Sequence, residues 1–187
     1  MKKTSLTHPL QIAVVAAGSE FGRVGKYDRH ALSGYWDRDL GLDLDMIRNW
    51  GAVAVVTLLE PKELILLRVE RLGEEVLRRE MLWFHLPIVD VSIPDKRFEQ
   101  EWAGAGEELR SILRRRLDVL VHCRGGLGRA GSIAARLLIE LGMEPTKAIA
   151  NVRAARPGAI ETRDQENFVL GIRTAPHRPS GVINGLV

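Results

Sequence analysis

The chain has 187 residues, of which 45% are hydrophobic and 27% charged, with a formal net charge of +3. That is enough for one domain with a buried core, and the balance is that of a soluble globular protein rather than a disordered chain. One cysteine excludes an internal disulfide framework, no apolar run is as long as a membrane helix, and the mild basic excess suits anionic ligands without identifying one.

The opening Met1-Lys2-Lys3, followed by the apolar run 12–17, imitates a secretory leader. His8, Pro9 and Gln11 interrupt it and the run is short, so 11–16 reads as a first strand and the location as cytoplasmic. Gly18 to Gly25 then turns the chain back. Leu42, Met46 and Trp50 recur at helical spacing over 40–50, and Gly51 stops that helix. The β-branched run 52–58 predicts a strand buried on both faces. Pro61 opens a helix through residue 67. A helix over 73–81, a strand over 82–86 and a long charged helix over 98–115 follow. Arg114, Arg115 and Arg116 decorate the end of that last helix, where cations are favoured.

The short apolar strand 118–122 runs directly into glycines. Beyond them come helices to 141, over 145–155 and over 162–172, with Arg156-Pro157-Gly158 as a turn between the last two. Trp36, Trp50, Trp83 and Trp102 read as packing rather than as a nucleic-acid platform, and no nucleic-acid or membrane partner is expected. Strands alternating with helices predict one α/β domain over 1–175, with a mainly parallel central sheet flanked by helices. A flexible tail over 176–187 completes the chain. Ligands of such sheets sit beyond the carboxyl ends of the strands, where the glycines begin.

The chemistry is concentrated in His122-Cys123-Arg124-Gly125-Gly126-Leu127-Gly128-Arg129. Gly125, Gly126 and Gly128 allow successive amides to converge on one point, and the helix starting near Arg129 adds its own unpaired donors. Together they make a cradle for a tetrahedral dianion, lined by residues 124–128. Cys123 lies at its base. A free thiol titrates near about 8.5, and amides, a helix N-terminus and cations lower such a group to roughly 3.5–7.5. Arg129 is placed to grip two phosphoryl oxygens with its planar fork, and His122 to order the loop from beneath. Most lone cysteines are inert core residues. However, His, Gly and Arg at these positions around a cysteine arise by chance only in roughly 1 case in 10,000.

This stretch resembles the active-site signature of the cysteine-based protein tyrosine and dual-specificity phosphatase superfamily. Within it, the stretch 121–169 is similar to kinase-associated phosphatase and its bacterial relatives. Besides the loop, Ala134-Ala135-Arg136-Leu137-Leu138-Ile139 and Arg156-Pro157-Gly158-Ala159-Ile160-Glu161-Thr162 carry the resemblance, more weakly joined by residues 36–40 and 51–56. It implies a phosphatase fold and hydrolysis of phosphate monoesters, most readily phosphotyrosine and also phosphoserine or phosphothreonine in proteins. It further implies a phosphocysteine intermediate formed by Cys123, no cofactor and no metal. The acid of that family follows a Pro-Ile-x-Asp pattern, which Asp90 matches in Pro87-Ile88-Val89-Asp90. Asp95 reads instead as a helix cap. Gln165 occupies a helix where relatives often have a glutamine that orients water.

Two features depart from the pattern or extend it. Most members carry Ser or Thr after the arginine, to help the thiolate leave. Here Ala130 stands there, as in the phosphatases of regenerating liver, and Ser132 is the nearest hydroxyl able to substitute. Arg124 either attracts a second anionic group or faces solvent. The competing readings are a phosphate-binding pseudophosphatase or interaction protein with slow turnover, favoured by Ala130, and a sulfur transferase, disfavoured by Arg129 and Asp90.

Overall fold

The computed structural model describes residues 3–15, 19–22, 27–28 and 36–175. In chain order these form β1 (Ala13–Val15), β2 (Ser19–Gly22), β3 (Tyr27–Asp28), β4 (Trp36–Asp37), α1 (Leu40–Trp50), β5 (Ala52–Thr57) and α2 (Pro61–Leu66). There follow α3 (Leu72–Arg78), β6 (Leu82–His85), α4 (Lys96–Arg114), β7 (Asp118–His122), α5 (Gly128–Glu140), α6 (Pro145–Ala155) and α7 (Arg163–Gly171). The main sheet has the order β1-β2-β7-β5-β6, with β2, β7, β5 and β6 mutually parallel and β1 antiparallel at one edge. β3 and β4 form a small separate ribbon. The predicted mainly parallel α/β sheet is therefore present.

Why the central strands read as continuous apolar runs is plain from their two faces. Ala54 and Val56 of β5, with Val119 and Val121 of β7, pack into a core built with α4, α5, α6 and α7. Val55 and Leu120 point the other way, into a second core with α1, α2 and α3. Alternate residues thus serve opposite layers, and each fully buried aliphatic side chain contributes about 1.5–3 kcal/mol. All thirteen residues of α5 are buried, which makes it the central helix of its layer. α4 is fastened to it where Trp102 Nε1–H donates to Glu140 (2.9 Å) and the Arg136 guanidinium lies 4.6 Å from the Trp102 ring centroid.

Several boundaries differ from the sequence reading. β1 is shorter than 11–16, and part of the expected Gly18–Gly25 turn is strand β2, which runs back along β1 and seats itself beside β7. Gly18 and residues 23–25, the tail 176–187 and the side chain of Trp36 lie outside the described residues. α3 ends at Arg78 rather than near 81, because Glu80 takes a left-handed φ of 57° and turns the chain into β6. α4 begins two residues early, since Asp95 caps it by accepting from the Phe98 amide (2.8 Å). No helix among the described residues is long and apolar enough to cross a membrane. Gly22, His122, Thr57 and His85 end four neighbouring parallel strands in one row, and the cysteine loop rises just beyond it.

Candidate active site

Strand β7 delivers Cys123 to the carboxyl edge of the sheet, and α5 starts only five residues later. The intervening loop is possible because Gly126 adopts φ 67°, a conformation that most side chains resist. In that conformation the Gly126 amide donates to Cys123 Sγ (3.3 Å). The sulfur is 5% exposed and forms no disulfide. Gly128 is required for a different reason: a Cβ there would stand 2.4 Å from Glu161 Oε2 and 2.8 Å from the Gln165 carboxamide. Its amide donates to Glu161 Oε2 (2.8 Å), so the first turn of α5 is tied to the loop before α7. Arg124, Gly125 and Leu127 are half-buried around the same turn, and Gly126 is buried.

Arg129 projects from that first turn into a cage of acceptors and is 2% exposed. Its Nη1 donates to Glu63 Oε2 (2.6 Å) and to the carbonyls of Leu58 (3.3 Å) and Ile88 (3.0 Å). Its Nη2 donates to Glu63 Oε1 (2.9 Å) and lies 2.8 Å from Asp90 Oδ1. Burial alone would raise the Glu63 carboxyl, but bonds from Arg129 and the Glu60 backbone, with the charges of Arg129 and Arg124, hold it below its ordinary value. Burial would likewise lower the guanidinium, yet Glu63, the Cys123 sulfur and Asp90 raise it. The arginine is thus fixed as a cation beside the sulfur. Glu63 escaped the sequence reading, because a partner 66 residues away leaves no local signal.

Beneath the loop, His122 is fully buried and its Nε2 is 2.8 Å from Thr57 Oγ. The indole N–H of Trp83 donates to the same oxygen (2.9 Å). An indole nitrogen only donates, so the Thr57 hydroxyl accepts from Trp83 while it also bonds His122 Nε2. Nδ1 has no full hydrogen-bond partner. Complete burial, then the charges of Arg129 and His85, push this imidazole down to about 3, with the Cys123 backbone pulling weakly the other way. His122 is a buried, neutral imidazole beneath the loop. Thr57 and Trp83 were not foreseen in that part, since each reads from sequence only as a strand residue.

Asp90 stands at the far side, its side chain 52% exposed, close to Arg129. Asp95 is occupied at the start of α4. Gln165 is buried, and its carboxamide is bonded to backbone: Oε1 accepts from the amides of Glu161 (3.0 Å) and Thr162 (3.3 Å), and Nε2 donates to the Ser92 carbonyl (3.2 Å). Ser132 Oγ–H donates to the Gly128 carbonyl one turn back (2.8 Å). Its proton is therefore committed to its own helix, and the expectation that it substitutes for the hydroxyl missing at Ala130 is not met in this arrangement. Residues from α2, the segment after β6 and the loop before α7 thus meet the first turn of α5, just beyond Cys123.

Comparison with known proteins points the same way. A family model described as "Swiss Army Knife protein, DSP-PTPase phosphatase domain" matches residues 47–169. Cyclin-dependent kinase inhibitor 3 of Rattus norvegicus is 33% identical over 139 residues, which are 73% of this chain and 64% of the relative, so the chain spans just under two thirds of that protein. Among solved structures, that of kinase associated phosphatase superposes with a TM-score of 0.75 at 25% identity, covering 87% of this chain and 93% of the other. The active form of Tk-PTP does so with a TM-score of 0.65 at 26% identity, covering 84% and 92%.

Proposed function

The chain belongs to the dual-specificity and protein tyrosine phosphatase family, and on that premise we propose that it hydrolyses phosphate monoesters on proteins through a phosphocysteine intermediate. Phosphotyrosine is the leading substrate, with phosphoserine and phosphothreonine as further ones. The carrying observation is that Cys123 Sγ, the Gly126 amide, Arg129 and Asp90 form one connected cluster at the carboxyl edge of the sheet.

In the first step the Cys123 thiolate attacks phosphorus: an S–P bond forms, the ester P–O bond breaks, and Asp90 gives its proton to the departing oxygen. Amides of the cysteine loop and Arg129 hold the equatorial oxygens; the Gly128 amide, which donates to Glu161, is not among them. Arg129 already commits both terminal nitrogens to Glu63, Asp90 and backbone carbonyls. A bound phosphoryl group therefore draws on Nε and displaces Asp90 from Nη2, which sends the carboxyl toward the leaving group. In the second step water attacks phosphorus, its proton passes to Asp90, and the S–P bond breaks to return the thiolate and inorganic phosphate.

The names of the relatives, a kinase inhibitor and a kinase-associated phosphatase, favour a phosphoprotein over a small phosphorylated metabolite. A reduced nucleophilic cysteine suits a reducing compartment, so we place the reaction in the cytoplasm. The second reading, a phosphate-binding protein that turns over slowly, is favoured by Ala130 together with the committed hydroxyl of Ser132. Hydrolysis of p-nitrophenyl phosphate and of phosphotyrosine peptides tests the leading reading. Cys123→Ser is expected to lower it at least about 10⁴-fold. Undiminished hydrolysis by that variant would overturn the assignment.

A further inference from the structure

The loop that carries Asp90 has an unusual backbone. Val91, the residue directly after the acid, takes φ 60°, where a β-branched side chain is strained, and it is 63% exposed, so packing does little to compensate. Polar contacts hold the turn. Within it, the Ser92 amide donates to the Val89 carbonyl (3.1 Å) and the Val91 amide to Asp90 Oδ1 (3.1 Å). Before it, Ile88 is bonded to Leu58 and Arg129; from Asp90 onward, Arg129 on Asp90 and the Gln165 carboxamide on the Ser92 carbonyl reach it from elsewhere.

Building on the phosphatase reading, we infer that Gln165 is a positioning residue for the general acid, latching the strained Asp90 loop to the rim of the phosphate cradle. Three observations carry this. The orientation of the carboxamide is fixed, because two backbone amides donate to Oε1 and leave Nε2 as the end that meets Ser92. The side chain is only 1% exposed, so water does not replace the bond cheaply. It also packs directly on Gly128, where a Cβ would meet both its terminal atoms within 2.9 Å, so one side chain touches the acid loop, the loop before α7 and the cradle. The chemistry gives the latch its moment. When phosphate takes Arg129, the ion pair on Asp90 is given up. Ile88 stays fixed before the acid by Leu58 and Arg129 Nη1, and the bond to Ser92 is the tether that remains after it while the proton is delivered.

Gln165→Glu isolates this bond. Glutamate serves equally well in the capping box with Thr162 and keeps the acceptor for the two amides, but it presents oxygen instead of N–H to the Ser92 carbonyl. The measurement is kcat/KM for a series of aryl phosphates from p-nitrophenyl to phenyl, which reports steps up to leaving-group departure and not the later attack of water. A mispositioned acid hurts poor leaving groups most. The loss is expected to be about tenfold larger on phenyl phosphate than on p-nitrophenyl phosphate, a milder copy of Asp90→Asn. Adding Val91→Asn, which tolerates the left-handed turn, recovers part of that loss. Gln165→Met, which fills the space without a donor, gives the same trend and serves if the glutamate variant does not fold.

A loss equal across the series, or a slowed breakdown of phosphocysteine in burst kinetics with kcat/KM unmoved, would overturn the latch in favour of a structural or water-orienting role. A wild type inert toward every aryl phosphate would instead overturn the proposed function, and the latch with it.

Discussion

From His122 to Arg129 the chain leaves β7, turns once through Gly126 and enters α5, staying buried or half-buried throughout. From Pro87 to Asp95 it exposes Val89, Val91 and Ile93, passes through a strained residue, and is held from outside by Arg129 and Gln165. The first region is shaped by covalent neighbours and the core, and is ready before any substrate arrives. The second depends on a few polar contacts, one of which substrate itself must take away. On the proposed mechanism, binding and nucleophilic attack are thereby built into the fold, whereas protonation of the leaving group depends on how well one loop is held. That contrast is testable by damaging each region separately.

The largest effect is expected within the cradle. Arg129→Lys keeps a cation beside Cys123 but loses the planar fork, including the paired bonds to Glu63. kcat/KM for p-nitrophenyl phosphate should fall about 10³-fold, with little dependence on the leaving group. Steady-state kinetics decide it; a loss under about tenfold would mean that the loop amides hold phosphate without the arginine.

Next comes the acid. Asp90→Asn should lower kcat/KM about 10²-fold on phenyl phosphate and much less on p-nitrophenyl phosphate. Competitive inhibition by inorganic phosphate should be retained or tightened, since Nη2 of Arg129 no longer has a carboxylate to surrender. Weakened inhibition would break the separation between the two regions.

The two regions also differed in how far they could be read from sequence. The cradle is contiguous, so the eight residues from His122 to Arg129 carry their own strand, turn and helix start. β5, with its β-branched run, and α1, closed by Gly51, are legible for the same local reason. Asp95 announced the start of α4 through capping chemistry that spans only three residues. What escaped were pairings set by the tertiary fold: Glu63 on Arg129, Glu161 on Gly128, Gln165 on Ser92, and the row that brings Thr57 under His122. A short strand such as β2 escaped as well, because its four residues, Ser-Glu-Phe-Gly, carry no pattern that distinguishes strand from turn. Nothing in the order of residues announces the left-handed φ of Val91, which is imposed by contacts on either side of it.

A smaller effect is expected from beneath the cradle. Thr57→Val is nearly isosteric but strands the Trp83 N–H and the His122 Nε2, each of which loses its partner. Leaving the buried imidazole nitrogen unmet costs about 1–3 kcal/mol, the part-buried indole less, and the imidazole loses the contact that orients it. Alkylation of Cys123 by iodoacetamide at pH 6 should slow about three- to tenfold, and Thr57→Ser should restore it. Unchanged alkylation would show that the loop is ordered from above alone.

The smallest effect, and the only gain, belongs to Ala130. Its side chain is fully buried in the first turn of α5, directly after Arg129, and the neighbouring hydroxyl of Ser132 is spent on Gly128. Ala130→Ser adds one oxygen at the position where most of the family has a hydroxyl, close enough along the chain to the cradle to assist the departing sulfur. If breakdown of phosphocysteine limits turnover, kcat should rise about two- to fivefold while kcat/KM stays put, because only the later step is eased. A pre-steady-state burst of p-nitrophenol in the wild type, diminished in the variant, is the matching signature. No burst in either protein would place the slow step before phosphocysteine, and the burden of turnover would shift back from the cradle to the loop that carries Asp90.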